Sequence, residues 1–200
     1  MEITVIRVNN NKMAIPYLKS AIRQFQMYKQ LGEGAMQQIT DEQLFAMPNE
    51  ESNSVAIIVQ HLWGNMLSRW TDFLTTDGEK PWRQRDAEFE NNINTREALM
   101  QKWEEGWQCL FNALHSITDE DLEKIIYIRN EGHTILEAIN RQIAHYSYHV
   151  GQIVYIAKMY KNNGWNSLSI PRNQSNEYNN KKFSEEKGTR HFTDDWLKKG

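Results

Sequence analysis

The stretch Thr134–Lys161, TILEAINRQIAHYSYHVGQIVYIAKMYK, decides the fold. Ile139, Ile143, Tyr146, Val150, Ile153 and Ala157 recur at the three- and four-residue steps of an α-helix, giving one apolar face. Thr134 with Glu137 three residues on forms a capping box, which sets where that helix starts. Each residue advances about 100° around the axis, so His145 and His149 lie about 40° apart on one face, a turn separated. That face borders the apolar stripe, so the two imidazoles sit at the margin of a core.

Three further helices are expected upstream. The first covers about Ile15 to Ile39, carrying Ile15, Leu18, Ile22, Phe25 and Leu31 at helical spacing, with Gly32 and Gly34 as points where it breaks or bends. Thr40 and Gln43 form a capping box for one short helical turn. Ser52 or Asn53 caps the second helix, which runs to about Leu74; the third runs from about Thr95 to His115, with Leu99, Trp103, Leu110 and Leu114 as its stripe. Before the last helix, Lys124–His133 (KIIYIRNEGH) alternates briefly, as an extended segment or a small hairpin does. Between the second and third helices lies Thr75–Asn92, TTDGEKPWRQRDAEFENN, far longer than the roughly 2–8 residues usual in bundles. A crossover of that length lets the second and third helices run the same way.

The expected fold is therefore all-α: a four-helix bundle with a long crossover between helices two and three, over residues 1–162. Residues 163–200 read as a polar C-terminal tail packed on the surface or partly disordered, with Trp165, Ile170 and Trp196 as local anchors. At 200 residues and 40% hydrophobic composition the chain suffices for one real core. A net charge of −3 with no basic block disfavours nucleic acid. The one cysteine, Cys109, cannot close an internal disulfide and reads as a reduced thiol. MEITVIRVNN at Met1–Asn10 lacks the pattern of a signal peptide, and runs such as VAIIV are too short to span a bilayer, so a cytoplasmic protein without membrane attachment is expected.

The second helix repeats the arrangement of the fourth. Val55, Ile58, Val59, Leu62, Met66 and Phe73 make its stripe; His61 sits at one edge, on a polar seam with Ser54, Asn65, Ser68 and Asp72. If the two margins face each other, His61, His145 and His149 converge. Two imidazoles one turn apart on a helix can chelate a single ion at about 2.1 Å. The alternative is three half-buried rings hydrogen-bonded to backbone, Gln142 or Asn65. Competing metal patterns are absent: no HExxH, no Glu-x-x-His pair, no cysteine cluster.

One His on the second helix, His-x3-His on the fourth and the long crossover make the chain similar to the DinB/YfiT-like superfamily of metal-binding four-helix bundles. The likeness is to a Bacillus-type branch of DinB-like proteins. It is carried by SVAIIVQHLWGNMLSRWTDFLTTDGEKPWRQRDAEFE (54–90), HYSYHVGQIVYIAK (145–158) and WNSLSIPR (165–172). The chain departs from that branch at Trp63, where it has a small residue, and at Asn173, where it has Gly. The resemblance implies that His61, His145 and His149 are metal ligands for one divalent transition metal (Ni, Zn, Fe or Mn), and that the protein is a homodimer. Three neutral imidazoles leave a coordination position open, which suits activation of a water or of a small thiol. Related DinB-like proteins include bacillithiol S-transferases, so the resemblance implies a thiol S-transferase with a small-molecule thiol and an electrophile as partners. A metal-dependent hydrolase and a non-catalytic metal-binding stress-response module are the alternatives.

Other residues carry lesser expectations. Arg69 pairs with Asp72 at i, i+3, or holds an anion near the metal. Trp82, Arg83 and Arg85 are solvated loop residues or fold over a pocket to meet a substrate. Asp72 and Glu79 are candidate general bases, and no catalytic residue is assigned. Tyr148, Tyr155 and the tryptophans of helix three read as packing surface or dimer contact.

Overall fold

The computed structural model describes residues 16–197 and is all-α, with six helices and one two-stranded hairpin among them. The expected helix start at Ile15 lies outside the described residues. Helix α1 (Tyr17–Met36) begins just after Pro16, and α2 (Asp41–Phe45) is the short turn opened by the Thr40–Gln43 capping box. Helix α3 (Val55–Trp70) is capped by Ser54, whose hydroxyl accepts from the Ile57 amide at 3.2 Å, in place of Ser52 or Asn53. It stops at Trp70, short of Leu74, because the chain turns at Asp72 with φ 46° and the Asp72 carbonyl takes the amides of Thr75 and Thr76. Helix α4 (Arg96–His115) is capped by Thr95. The KIIYIRNEGH stretch is the hairpin: β1 (Ile125–Ile128) pairs antiparallel with β2 (Glu131–Thr134) across Arg129 and Asn130, both at positive φ. Two left-handed residues give a turn whose twist matches the strands. Helix α5 (Ile135–Lys161) follows at once, with the Thr134–Glu137 box closed in both directions at 2.9 and 3.1 Å.

Side-chain contacts fix how the helices run. Trp63 meets Glu105, and Thr71 meets Cys109, so α3 and α4 are parallel, as the crossover allows. Tyr17 meets Asn140 and Phe25 meets Tyr146, so α1 and α5 are parallel too. The two pairs oppose each other: His61 faces His149, and further along α3 Trp70 faces Tyr146, which lies earlier in α5.

Phe25, Trp103, Trp107 and Tyr146 form an aromatic core, with Trp107 in contact with the other three at centroid distances of 5.4–6.4 Å. Trp103 and Trp107 are buried here, so these tryptophans are core and leave Tyr148 and Tyr155 as the exposed aromatics of α5. Truncating a ring of that size in a core costs about 3–5 kcal/mol. Gly32 does not break α1; a Cβ there would collide with the Trp103 indole, so glycine is what lets the ring lie against the helix backbone. Tyr146 also carries a polar tip, donating to Asn65 Oδ1 at 3.1 Å and accepting from Trp70 Nε1 at 3.1 Å. That pair of bonds locks α5 to α3 one residue away from His145.

The C-terminal segment lies back along α1. Leu168 packs over Gly34, Asn166 exchanges hydrogen bonds with Gln38, and His191 Nε2 lies 2.9 Å from Ser20 Oγ. Within it, α6 (Ser175–Phe183) buries none of its residues. Asn173 sits at φ 69°, the left-handed region where Gly is easiest and Asn is tolerated.

A candidate three-histidine metal centre

Helices α3 and α5 bring His61, His145 and His149 together at the margin of the core. His145 Nε2 lies 3.4 Å from His61 Nε2 and 3.1 Å from His149 Nε2. One ligand nitrogen from each ring falls within 4.8 Å of the others, so the three could hold one metal ion. His61 is 6% exposed; the other two are half-buried.

The far side of each outer ring is occupied. His61 Nδ1 donates to Glu88 Oε2 at 2.8 Å, and His149 Nδ1 pairs with Gln152 Oε1 at 2.8 Å. A carboxylate and an amide oxygen only accept, so each Nδ1 bears a proton, and in the neutral ring each Nε2 presents a lone pair to the centre. Three imidazole nitrogens turned on one another, two as lone pairs fixed from behind, are a donor set suited to a cation. Hydrogen-bonded outer partners of this kind orient metal-binding rings and raise their basicity. These partners differ from the Gln142 and Asn65 that hydrogen-bonded rings would have used.

Glu88 was not singled out by the sequence. It sits in a 3-10 turn (Asp86–Phe89) of the crossover, 5% exposed, and that turn is strapped to α3 by Gln60, whose amide donates to the carbonyls of Ala87, Glu88 and Glu90 at 2.9–3.1 Å. Gly64, one turn after Gln60, makes room for it: a Cβ there would strike the Glu88 carboxylate. Arg83 closes the other side, with Nε 2.7 Å from Oε1 and Nη2 3.0 Å from Oε2. Burial by itself would raise the Glu88 pKa, but the hydrogen bonds from His61 and Arg83 outweigh it and hold the carboxyl below its usual range. Phe89 stacks on the His61 ring at 5.0 Å.

Burial, and then the neighbouring His149, His61, Arg69 and Arg83 charges, push His145 down to about 3. Burial also lowers His149, partly opposed by its bond to Gln152. Burial thus favours the neutral imidazole at His145 and at His149 in the metal-free centre.

A cavity of about 200 Å³ adjoins His61 and His145. Arg83 and Arg85 line it, whereas Trp82 is 53% exposed and outside it. Arg69 lines it as well and makes no pair with Asp72; it bonds instead to the Gly78 carbonyl and to Glu79 Oε2 at 3.3 Å. Glu79 is tied to Arg69, Arg83 and Arg129, and Asp72 is exposed past the end of α3, so neither carboxylate reaches the histidines. Cys109 stands on α4 beside Thr71, its thiol pushed up by burial, and is not among the residues lining that cavity.

Fold and site together define a helical bundle with a histidine cluster at its core margin that could hold a metal ion. The chain matches the family model described as a protein of unknown function, DUF1572, over residues 12–174, and it belongs to that DinB-like family. The match ends at Gln174, just before α6. No curated protein and no solved structure matches the chain significantly. No helix among the described residues is long and apolar enough to cross a membrane.

Proposed function

We propose that this protein is a divalent-metal-dependent transferase that joins a low-molecular-weight thiol, of the bacillithiol type, to a small electrophile, with His61, His145 and His149 as the metal ligands. The carrying observation is the convergence of three Nε2 atoms with the Nδ1 atoms of His61 and His149 held from behind. Three protein ligands leave room in the coordination sphere, unlike the closed four-ligand sites of structural zinc. When bound, the ion supplies a Lewis acid that lowers the pKa of a coordinating thiol or water. The choice of thiol rests on the resemblance to the Bacillus-type DinB-like branch and its bacillithiol-using relatives. Of nickel, zinc, iron and manganese, the first three suit imidazole donors in this reading, and manganese, which favours oxygen donors, suits them least.

The protein's own residues do the rest. Glu88 and Gln152 fix ring orientation, Phe89 covers His61, and the bundle core excludes water behind the rings. Cys109, with its raised thiol pKa and its place on α4, takes no part. A cytoplasmic homodimer belongs to the same reading, with exposed Tyr148 and Tyr155 of α5 available at its surface.

The test is elemental analysis and a conjugation assay run on the same protein. Wild type is expected to carry metal that His61→Ala and His149→Ala lack, and metal-loaded protein to conjugate bacillithiol to a chlorobimane electrophile. Equal metal in all three proteins overturns the centre; no conjugate above the chelated control overturns the transferase.

A further inference from the structure

We propose that the cavity beside the histidines is an oxyanion-binding subsite, taking a doubly charged group such as a dicarboxylate or a phosphate ester on the ligand. Five arginines from four parts of the fold line it: Arg69 of α3, Arg83 and Arg85 of the crossover, Arg129 of the hairpin turn and Arg141 of α5. No carboxylate stands among its described lining residues. Two carboxylates behind the lining offset part of this charge. Glu79 takes Arg69, Arg83 and Arg129 at 3.0–3.5 Å, and Glu88 takes Arg83. Asp77 also acts on Arg69, and Asp86 lies 4.0 Å from Arg85, so five guanidiniums still outnumber the four nearby carboxylates and leave a positive charge in a small space.

The surplus is not fully paired. Among the described residues Arg141 is exposed with no hydrogen bond or ion pair, and Arg85 has only a 4.0 Å approach to the exposed Asp86 and a stack on Phe89. Arg69 is 6% exposed and its Nε has no hydrogen-bond partner among the described residues; Gln142, 3% exposed, has an Oε1 that is likewise unpartnered among them. Buried polar groups are nearly always satisfied, and a buried guanidinium N–H left bare is costly. An oxyanion would satisfy Arg69 and neutralise the cluster, and Gln142 Oε1 offers an acceptor to an O–H or N–H beside it. The crowding has a visible consequence: burial and then the Arg83 charge lower the Arg69 pKa. Guanidiniums give planar, two-point recognition of carboxylate and phosphate, which lysines do not. At about 200 Å³ the cavity is smaller than the roughly 300–1,000 Å³ of drug-sized ligand sites, so it suits a compact headgroup.

This subsite deepens the proposed function, because His61 and His145 form part of the same wall, so it selects the ligand presented to the metal centre. Its chemistry is independent of the ion, and that separates the two in experiment. Calorimetric titrations of the full chain, metal-free and zinc-loaded, would use succinate, methyl phosphate and, as the uncharged control, succinamide. Saturable binding of succinate or methyl phosphate to metal-free protein is expected, with the stronger of the two identifying the headgroup class. The Arg85→Gln/Arg141→Gln double variant changes two exposed side chains and is expected to melt as wild type does. It should lose binding by roughly tenfold or more. His149→Ala should keep binding. No saturable binding of either anion, equal binding of succinamide, or unaltered binding by the double variant overturns the subsite. Anion binding alongside failed bacillithiol conjugation leaves the subsite standing and removes the transferase.

Discussion

Glu88 Oε2 stands 2.8 Å from His61 Nδ1, and the same carboxylate is gripped from its other side by Arg83. One residue of the crossover therefore sets both the tautomer of a candidate ligand and the position of an arginine of the neighbouring cavity. Glu88→Gln is expected to lower metal affinity by about 10–100-fold, the usual effect of losing such an outer partner. Competition against a chelating dye measures it; unchanged affinity would mean that His61 is oriented by packing alone.

Gly64 supplies the independent check. An alanine Cβ at this position would fall 2.8 Å from Glu88 Cδ, so Gly64→Ala has to displace the carboxylate or the turn that carries it. The expected outcome is a stability loss of about 1–3 kcal/mol from overpacking, with weakened metal binding of the same order as in Glu88→Gln. Urea denaturation and the dye titration read the two effects separately.

Tyr146 tests the clamp between α3 and α5. Tyr146→Phe keeps the ring in the aromatic core but leaves Asn65 Oδ1 and Trp70 Nε1 without the hydroxyl that serves both. The expected cost is about 1–3 kcal/mol in chemical denaturation, since buried polar groups lose their partner with no compensating gain. A neutral result would show that water replaces the hydroxyl.

Asp77 sets a pH dependence. Its carboxylate accepts the amides of Arg129 and Asn130 at 2.8 Å and of Glu79 at 2.7 Å, so it latches the crossover to the hairpin. Desolvation acts to raise its pKa, but these backbone bonds outweigh it and the folded value is lowered. A lowered folded pKa means stability that is present above the unfolded value near about 3.9 and lost as pH falls through the folded one. Wild type is thus expected to exceed Asp77→Asn in denaturation midpoint at neutral pH, with the gap closing below about pH 4. A gap that persists in acid would mean that the ionised form is not what holds the latch.

The parts of the fold written in local signals were legible in the sequence. The Thr40 and Thr134 caps and the period of the apolar positions placed the helices within a few residues, and the length of Thr75–Asn92 allowed the parallel course of α3 and α4. The boundaries that shifted did so for backbone reasons: α3 ends at Trp70 because Asp72 turns left-handed, a conformation its apolar period does not encode. The His-x3-His spacing placed two candidate rings together, but only tertiary packing brings His61 to them. Glu88 was invisible because it is one carboxylate among several in a polar loop. A histidine centre implies some orienting acceptor; only Gly64, a gap opposite it, hints at which. The arginine cavity was half legible, since Arg69, Arg83 and Arg85 stood out near the crossover, while Arg129 and Arg141 join them from a turn and a helix distant in sequence.

The same-way course of α3 and α4 has an architectural consequence. Helix α3 rises about 24 Å, and the chain must travel back that height before α4 can begin. On its return it lays Arg83, Arg85 and Glu88 across the histidines. Changing this returning strand would rewrite the rim of the centre and leave the interlocked tryptophans untouched. The bundle acts as a fixed chassis, and the strand in front of it as the exchangeable faceplate on which ligand preference can diverge.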